Sequence, residues 1–282
     1  MLPMPEVPGV EHSHHDLATG VRVHLAAAGP PDAPPVLCLH GWPQHWWSWR
    51  DVIAELGDFR VLAPDLRGFG WSGAPADGSY VKERLAEDAI ALLDALKLEN
   101  VRLAGHDWGG WVAMLAALGA PERFSSLLAM SIASPWVPTV TALRNLWRVS
   151  YVPPIAAPVV GERVVRDGAF ARRVLEVARR DGRAWTPDEL DTYLTVLREP
   201  QAAHASSKLY RDFVLREAPR NIMGGFRGRR FAIPARLLHG RRDPLGRGLI
   251  QGFKGEIEIV DGAGHFLPEE KPALVAERIR AT

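Results

Sequence analysis

Short apolar runs rich in β-branched residues alternate with helical patterns along most of the chain. Each run predicts a strand, because strands are short and favour β-branched residues. The runs cover residues 21–29, 35–40, 60–65, 101–106, 125–132, 234–240 and 256–262. Strands that alternate with helices are typical of a mostly parallel central sheet flanked by helices on both faces. The pattern therefore predicts an α/β fold.

The alternation stops between residues 135 and 228, where the sequence is helical, rich in arginine and punctuated by prolines. One helix start is well marked there, with Thr186 as the N-cap, Pro187 at the first helical position and Glu189 completing a capping box. We interpret residues 135–228 as a helical cap inserted into a core domain formed by residues 1–134 and 229–282.

Composition and charge narrow the class of partner. The chain has 282 residues, with 34 Lys and Arg against 33 Asp and Glu, and 47% of its residues are hydrophobic. This balance argues against disorder and against a nucleic-acid surface, and favours a small uncharged partner. No stretch approaches the roughly 18 apolar residues of a membrane span, and the first residues do not resemble a secretory leader. We therefore expect a cytoplasmic protein without a membrane partner, in which the single cysteine, Cys38, is a buried thiol.

The strongest candidate for chemistry is Asp107 in the segment GHDWG. The segment follows a predicted strand and precedes a predicted helix, which is the context that a nucleophile elbow requires. Its glycines permit a sharp turn, and the N-terminus of the following helix favours an anion. A carboxylate here predicts attack on a saturated carbon, because that attack leaves an ordinary ester on the enzyme.

Two further residues complete a triad in the order nucleophile, acid, histidine. Asp243 follows the predicted strand at 234–240, and His265 follows the last strand. Either residue alone would be read as a turn cap or a solvated side chain. Together with Asp107 they predict that His265, oriented by Asp243, activates the water that cleaves the ester.

The segment HGWPQ at residues 40–44 supplies a candidate anion hole. Its position directly after a strand is expected to aim the backbone N–H of Trp42 at the elbow, where the N–H of Trp108 is the second donor. We expect His40, Trp42 and Trp108 to line the substrate pocket.

Four motifs of the chain resemble those of the α/β-hydrolase-fold epoxide hydrolases, with relatives among the haloalkane and fluoroacetate dehalogenases. The motifs are HGWPQHWWSWR, PDLRGFGWS, GHDWGG and GAGHFLPEEKP, and the resemblance extends from about residue 20 to residue 278. It implies the α/β-hydrolase fold with a helical cap. It also implies that two cap tyrosines protonate the epoxide oxygen. By position these match Tyr151 and Tyr193, with Tyr210 as the substitute for Tyr151.

The sequence thus predicts an epoxide hydrolase that converts a small apolar epoxide to a vicinal diol, acting as a monomer or a homodimer. A dehalogenase with the same triad stays open, since Trp108 could hold a halide, as does a ligand-binding homologue without turnover. No cofactor or metal is indicated. The segment HSHHD contains His12, His14 and His15, but we expect it to be a flexible, solvated leader rather than a metal site.

Overall fold

Within residues 2–282, which this computed structural model describes, eight strands form one sheet in the order β1-β2-β4-β3-β5-β6-β7-β8. The strands β3 to β8 are parallel to one another, and β1 and β2 are antiparallel to their neighbours. The strands are β1 (Val10–Asp16), β2 (Arg22–Ala28), β3 (Pro35–Leu39), β4 (Arg60–Pro64), β5 (Val101–His106), β6 (Phe124–Met130), β7 (Ala235–Gly240) and β8 (Glu256–Val260). Strands β2 to β8 overlap the apolar runs, so the predicted fold class is confirmed.

Strand β1 contradicts the prediction for the segment HSHHD. The segment is not a leader but an edge strand, in which His12 pairs with Ala26 and His14 with His24. Most of its side chains are exposed, so the strand shows no apolar alternation that would reveal it in the sequence. Main-chain hydrogen bonds to β2 hold it instead.

Helices cover both faces of the sheet. One face of the sheet, which includes the side chain of Leu37, packs against α2 (Lys82–Leu96) and α3 (Trp108–Gly119). The other face, which includes the buried Cys38, packs against α1 (Arg50–Glu55) and α12 (Pro272–Ala281). Successive residues of β3 thus face opposite layers, as the period of a strand requires. The short helix α11 (Leu267–Glu270) precedes α12.

Between β6 and β7 the described chain is helical and contains no strand, as the sequence predicts. Its α-helices are α4 (Thr139–Arg144), α5 (Val152–Ala156), α6 (Val160–Asp167), α7 (Ala169–Ala178), α8 (Pro187–Leu197), α9 (Pro200–Asp212) and α10 (Ala218–Ile222). The predicted capping box of α8 is present, with reciprocal hydrogen bonds between Thr186 and Glu189. Apolar side chains of this helical insertion, among them Ile155 and Leu194, join the core cluster on the α2 and α3 face. The exact domain boundaries at residues 134 and 229 stay predictions.

The parallel strands bring four loops to one edge of the sheet. Parallel strands end at the same edge, so the loops after β3, β5, β7 and β8 meet there. These are the loops that carry Trp42, Asp107, Asp243 and His265. Among residues 2–282, no helix combines the length and apolar character needed to cross a membrane.

The turn from β5 into α3 depends on close backbone approach at Gly109. A Cβ atom there would overlap the carbonyl oxygen of His40 and the carbonyl group of Leu39, both of which are backbone atoms. Gly119, at the other end of the same helix, has no atom within 4 Å of a Cβ position.

We predict that Gly109→Ala lowers the free energy of unfolding by about 2 kcal/mol or more, because β3 and α3 must separate to admit the methyl group. Gly119→Ala is the matched control and should change stability by less than about 0.5 kcal/mol or raise it slightly. Urea denaturation of both variants measures the difference. Equal stabilities of the two variants would contradict this account of the turn.

Candidate active site

Asp107 lies at the sharp turn between β5 and α3. Its backbone has φ 49° and ψ −125°, and its side chain is buried. A positive φ costs about 1–3 kcal/mol for a residue other than glycine, so the surrounding packing must hold it. The elbow predicted from GHDWG is therefore present, with the carboxylate at the N-terminus of α3.

Two backbone donors face the Asp107 carboxylate. The N–H of Trp42 donates to Asp107 Oδ2 at 2.9 Å, and the N–H of Trp108, at the first position of α3, also favours the ionised carboxylate. Burial nevertheless raises the pKa of Asp107 to about 6, against the opposing effects of His265 and of these two donors. Trp42 and Trp108 thus lie where the anion hole was expected, and the hole itself stays a prediction.

His265 lies between the two acidic members of the triad. Its Nδ1 is 3.1 Å from Asp243 Oδ2, and its Nε2 is 3.8 Å from Asp107 Oδ1. Burial opposes a charge on the imidazole, but the hydrogen-bonded Asp243 and then Asp107 outweigh it and raise the pKa of His265 to about 9. Asp243 is buried as well, yet His265 holds the pKa of its carboxyl well below the usual range. In the resting site His265 is therefore a cation between two carboxylates.

The His265 loop is fastened by Glu270, a residue that the sequence analysis did not single out. The Glu270 carboxylate accepts hydrogen bonds from the backbone N–H groups of Gly264, Phe266 and Arg180 at 2.6, 2.8 and 3.1 Å. Because one buried carboxylate accepts hydrogen bonds from several backbone N–H groups, it fixes the loop that contains His265. The sequence signal for it is the acidic pair Glu269 and Glu270 in PEEKP, four and five residues after His265.

Two tyrosines of the helical insertion lie near Asp107. The rings of Tyr151 and Tyr210 are 6.0 Å apart, and the Tyr210 ring lies 5.5 Å from Trp42 and 5.4 Å from Trp108. Burial raises the pKa of both hydroxyls, and the negative charge of Asp107 raises them further. Both phenols therefore keep their protons at neutral pH, within the electrostatic reach of Asp107.

A cavity of about 300 Å³ opens beside Tyr151, Asp243 and His265, whereas Asp107 and Tyr210 are not among the residues that line it. Its lining residues are Arg148, Tyr151, Phe170, Arg173, Val174, Val177, Ala178, Asp243, Pro244, Leu245 and His265. None of His40, Trp42 and Trp108 lines this cavity; Trp42 and Trp108 lie beside Asp107 and Tyr210 instead, so their place in the substrate pocket stays a prediction. His40 instead accepts a hydrogen bond from the N–H of Leu66 and lies against Gly41, which ties the loop after β3 to the loop after β4.

Comparison with known proteins places the chain in a family. Residues 34–151 match the family described as alpha/beta hydrolase fold. A Bacillus subtilis protein named AB hydrolase superfamily protein YfhM is 32% identical over 92% of this chain and 93% of its own length. Epoxide hydrolase A of Mycobacterium tuberculosis is 30% identical over 91% of this chain and 92% of its own length. The structure of Epoxide Hydrolase A from Mycobacterium thermoresistibile aligns with a TM-score of 0.79 at 27% identity, covering 96% and 97% of the two chains.

The chain belongs to the α/β-hydrolase-fold epoxide hydrolases. The resemblance noted in the four sequence motifs is thereby confirmed, together with the fold.

Within this epoxide hydrolase fold, Tyr193 does not lie where the sequence analysis expected it. Its hydroxyl donates to Glu269 Oε1 at 2.7 Å and accepts from Arg50 at 3.3 Å, and its ring packs against Trp47 and Trp185. The capping box and the apolar face of α8 indicated a buried tyrosine but carried no information on its direction. The prediction that Tyr193 is one of the site tyrosines is therefore wrong, and the structure places Tyr210 beside Tyr151 instead.

The Tyr193 hydroxyl belongs to a buried polar cluster that joins α8 to the core, in which Arg50 also pairs with Glu189 and Glu269. We predict that Tyr193→Phe lowers the free energy of unfolding by about 2 kcal/mol, because buried Glu269 loses a charge-assisted hydrogen bond. Tyr80→Phe is the matched control, since the Tyr80 hydroxyl is buried without a hydrogen-bond partner in residues 2–282. Urea denaturation should show that the free energy of unfolding of Tyr80→Phe equals or exceeds that of the parent protein. Equal losses of this free energy in both variants would refute the role given to Tyr193.

Proposed function

We propose that this chain hydrolyses epoxides to vicinal diols through an ester formed on Asp107. The observation that carries the proposal is the pairing of a buried carboxylate nucleophile with two protonated phenols, Tyr151 and Tyr210. A carboxylate attacks saturated carbon, and the phenols supply the proton that the ring oxygen needs as it becomes a hydroxyl. The family membership and the names of the relatives support the same reaction.

The two oxygens of Asp107 take different parts in the first step. Oδ2 accepts the N–H of Trp42, whereas Oδ1 is the oxygen near His265. Oδ1 therefore attacks a ring carbon, the bond between that carbon and the epoxide oxygen breaks, and a proton from Tyr210 or Tyr151 passes to the oxygen. Oδ2 stays between the backbone donors as the carbonyl oxygen of the new ester.

Ester formation converts His265 into a base. The negative charge of Asp107 is one of the influences that raise the pKa of His265, and alkylation removes that charge. The imidazolium can then release its proton more easily, restore the phenol and accept a proton from water. Hydroxide adds to the carbonyl carbon of the ester, and the Trp42 and Trp108 donors stabilise the oxyanion. The bond between that carbon and Oδ1 then breaks, and Oδ1 leaves as part of the diol with the proton of the added hydroxyl. Asp107 is thereby a carboxylate again, and His265 stays an imidazolium.

A dehalogenase reaction is the second candidate. The observation that favours it is the indole N–H of Trp108, which is buried and has no hydrogen-bond acceptor within residues 2–282. A departing halide could accept this hydrogen bond. A departing halide needs no proton, however, so the two phenols, Tyr151 and Tyr210, would have no role in this reaction.

Replacement of the base separates the candidates. We predict that His265→Gln still forms the ester but hydrolyses it at least a hundredfold more slowly, so that the ester accumulates. Intact-protein mass spectrometry after incubation with an epoxide should show an adduct of the full substrate mass, absent from the matched Asp107→Asn variant. An adduct formed from a haloalkane, lighter than that substrate by the mass of HX, would favour the dehalogenase. Absence of any adduct, with an inactive parent protein, would favour ligand binding without turnover.

The raised pKa of Asp107 predicts an acid limb in the pH profile. The free protein must carry ionised Asp107 to open the ring, and burial raises the pKa of this group to about 6. We therefore predict that kcat/KM is level above pH 7 and falls about tenfold per pH unit below pH 6. Initial rates with a neutral epoxide, corrected with Asp107→Asn for uncatalysed opening, measure the limb. If kcat/KM began to fall only near pH 4, burial would not raise the pKa of Asp107 and this account of the site would be wrong.

A further inference from the structure

The cavity beside His265 carries more positive charge than the triad uses. Four of its lining residues can be charged, namely Arg148, Arg173, Asp243 and His265. Asp243 and His265 are satisfied by each other. The two arginines are therefore the charges whose purpose the proposed mechanism leaves open, and the other lining side chains are apolar apart from Tyr151.

Arg148 is held rigidly by neutral groups. Its Nε donates to Asn145 Oδ1 at 3.0 Å, and its Nη1 donates to the carbonyl oxygen of Pro244 at 2.8 Å. A Cβ atom on Gly246 would lie 2.6 Å from the guanidinium carbon, so the backbone approaches the group closely. Within residues 2–282 no carboxylate forms an ion pair with Arg148, and its Nη2 has no hydrogen-bond acceptor. An oriented guanidinium whose Nη2 has no acceptor can donate to an anion.

Arg173 is the second cation of the cavity. It lies on α7, where its side chain is exposed to solvent, and it makes neither a hydrogen bond nor an ion pair with the part of the chain that the structure describes. Its neighbour Arg172 differs in this respect, since Arg172 lies 3.6 Å from Asp191. The exposure of Arg173 places it at the solvent side of the cavity, away from the buried triad.

We propose that Arg148 and Arg173 form a carboxylate-binding subsite, so that the preferred substrate is an epoxide joined by an aliphatic chain to a carboxylate. This inference rests on the proposed epoxide hydrolysis. A guanidinium matches the two oxygens of a carboxylate with parallel hydrogen bonds. Phe170, Val174 and Leu245, which line the same cavity, bury the aliphatic chain between the two ends.

Electrostatics explains why such a substrate requires these arginines. Asp107, which lies 3.8 Å from the cavity residue His265, must be ionised when it attacks, and it repels a second carboxylate bound in the neighbouring cavity because the dielectric constant there is low. Arginines that bind the substrate carboxylate at the solvent side offset this repulsion. They also orient the molecule with its epoxide toward Tyr151 and His265.

The test compares an ω-epoxy medium-chain carboxylate with its primary amide, which has nearly the same shape and no charge. We expect the parent protein to have a higher kcat/KM for the carboxylate than for the amide. The ratio of these two kcat/KM values should fall at least tenfold in Arg148→Met and in Arg173→Met. Arg172→Met is the matched control on the same helix and should keep the parental ratio. Arg173→Met is expected to fold as the parent protein does, because Arg173 makes no hydrogen bond or ion pair within residues 2–282. A lower ratio in this variant therefore cannot be attributed to misfolding.

A parental ratio in both Arg148→Met and Arg173→Met, or a preference of the parent protein for the amide, would overturn the subsite. If the protein hydrolyses neither substrate, the proposed epoxide hydrolase function is contradicted. The subsite is then tested by measuring ligand binding alone. Calorimetry with the corresponding diol acid and diol amide should show at least tenfold tighter binding of the acid to the parent protein, lost in both variants. Equal binding of acid and amide would reject the subsite independently of turnover.

Discussion

The arrangement on which the site depends is an imidazolium between two buried carboxylates. Burial of Asp107 favours its neutral form, so its ionisation depends on His265 and on the backbone donors of Trp42 and Trp108. His265 in turn depends on Asp243, whose ion pair outweighs the burial of the imidazole. None of these charges would be tolerated alone at this depth, because an unpaired buried charge costs several kcal/mol. The surrounding structure serves to hold the three groups at these distances.

The sheet supplies that precision through its backbone. Asp107, Asp243 and His265 each follow a parallel strand, so all three emerge at one edge from elements that hydrogen bonds hold in register. The strained turn at Asp107 persists because Gly109 lets α3 pack directly on the backbone after β3. The helical insertion then covers this edge and brings Tyr151 and Tyr210 near Asp107, which the core alone positions.

The sequence predicted those features that local patterns determine. The strands β2 to β8, the capping box of α8 and the order of Asp107, Asp243 and His265 are all encoded within short segments. The errors concern features set by distant contacts. An exposed edge strand has no apolar alternation, and His40 follows the right strand but is turned into the core by its contact with Leu66. Tyr193 and Tyr210 both lie on buried helical faces, and only the packing of α8 and α9 decides which of them lies beside Tyr151 and Trp108.

The central claim is that the oxygen added to the substrate comes first from Asp107. Single turnover in ¹⁸O-labelled water, with protein in excess over epoxide, tests it most directly by mass spectrometry of the diol. Covalent catalysis predicts that the first diol is unlabelled, since it carries Oδ1 of Asp107, and that the label enters the protein instead. A second turnover by the recovered, labelled protein in ordinary water should then yield labelled diol. A first diol that carries one full equivalent of ¹⁸O would contradict the account and show direct attack by water.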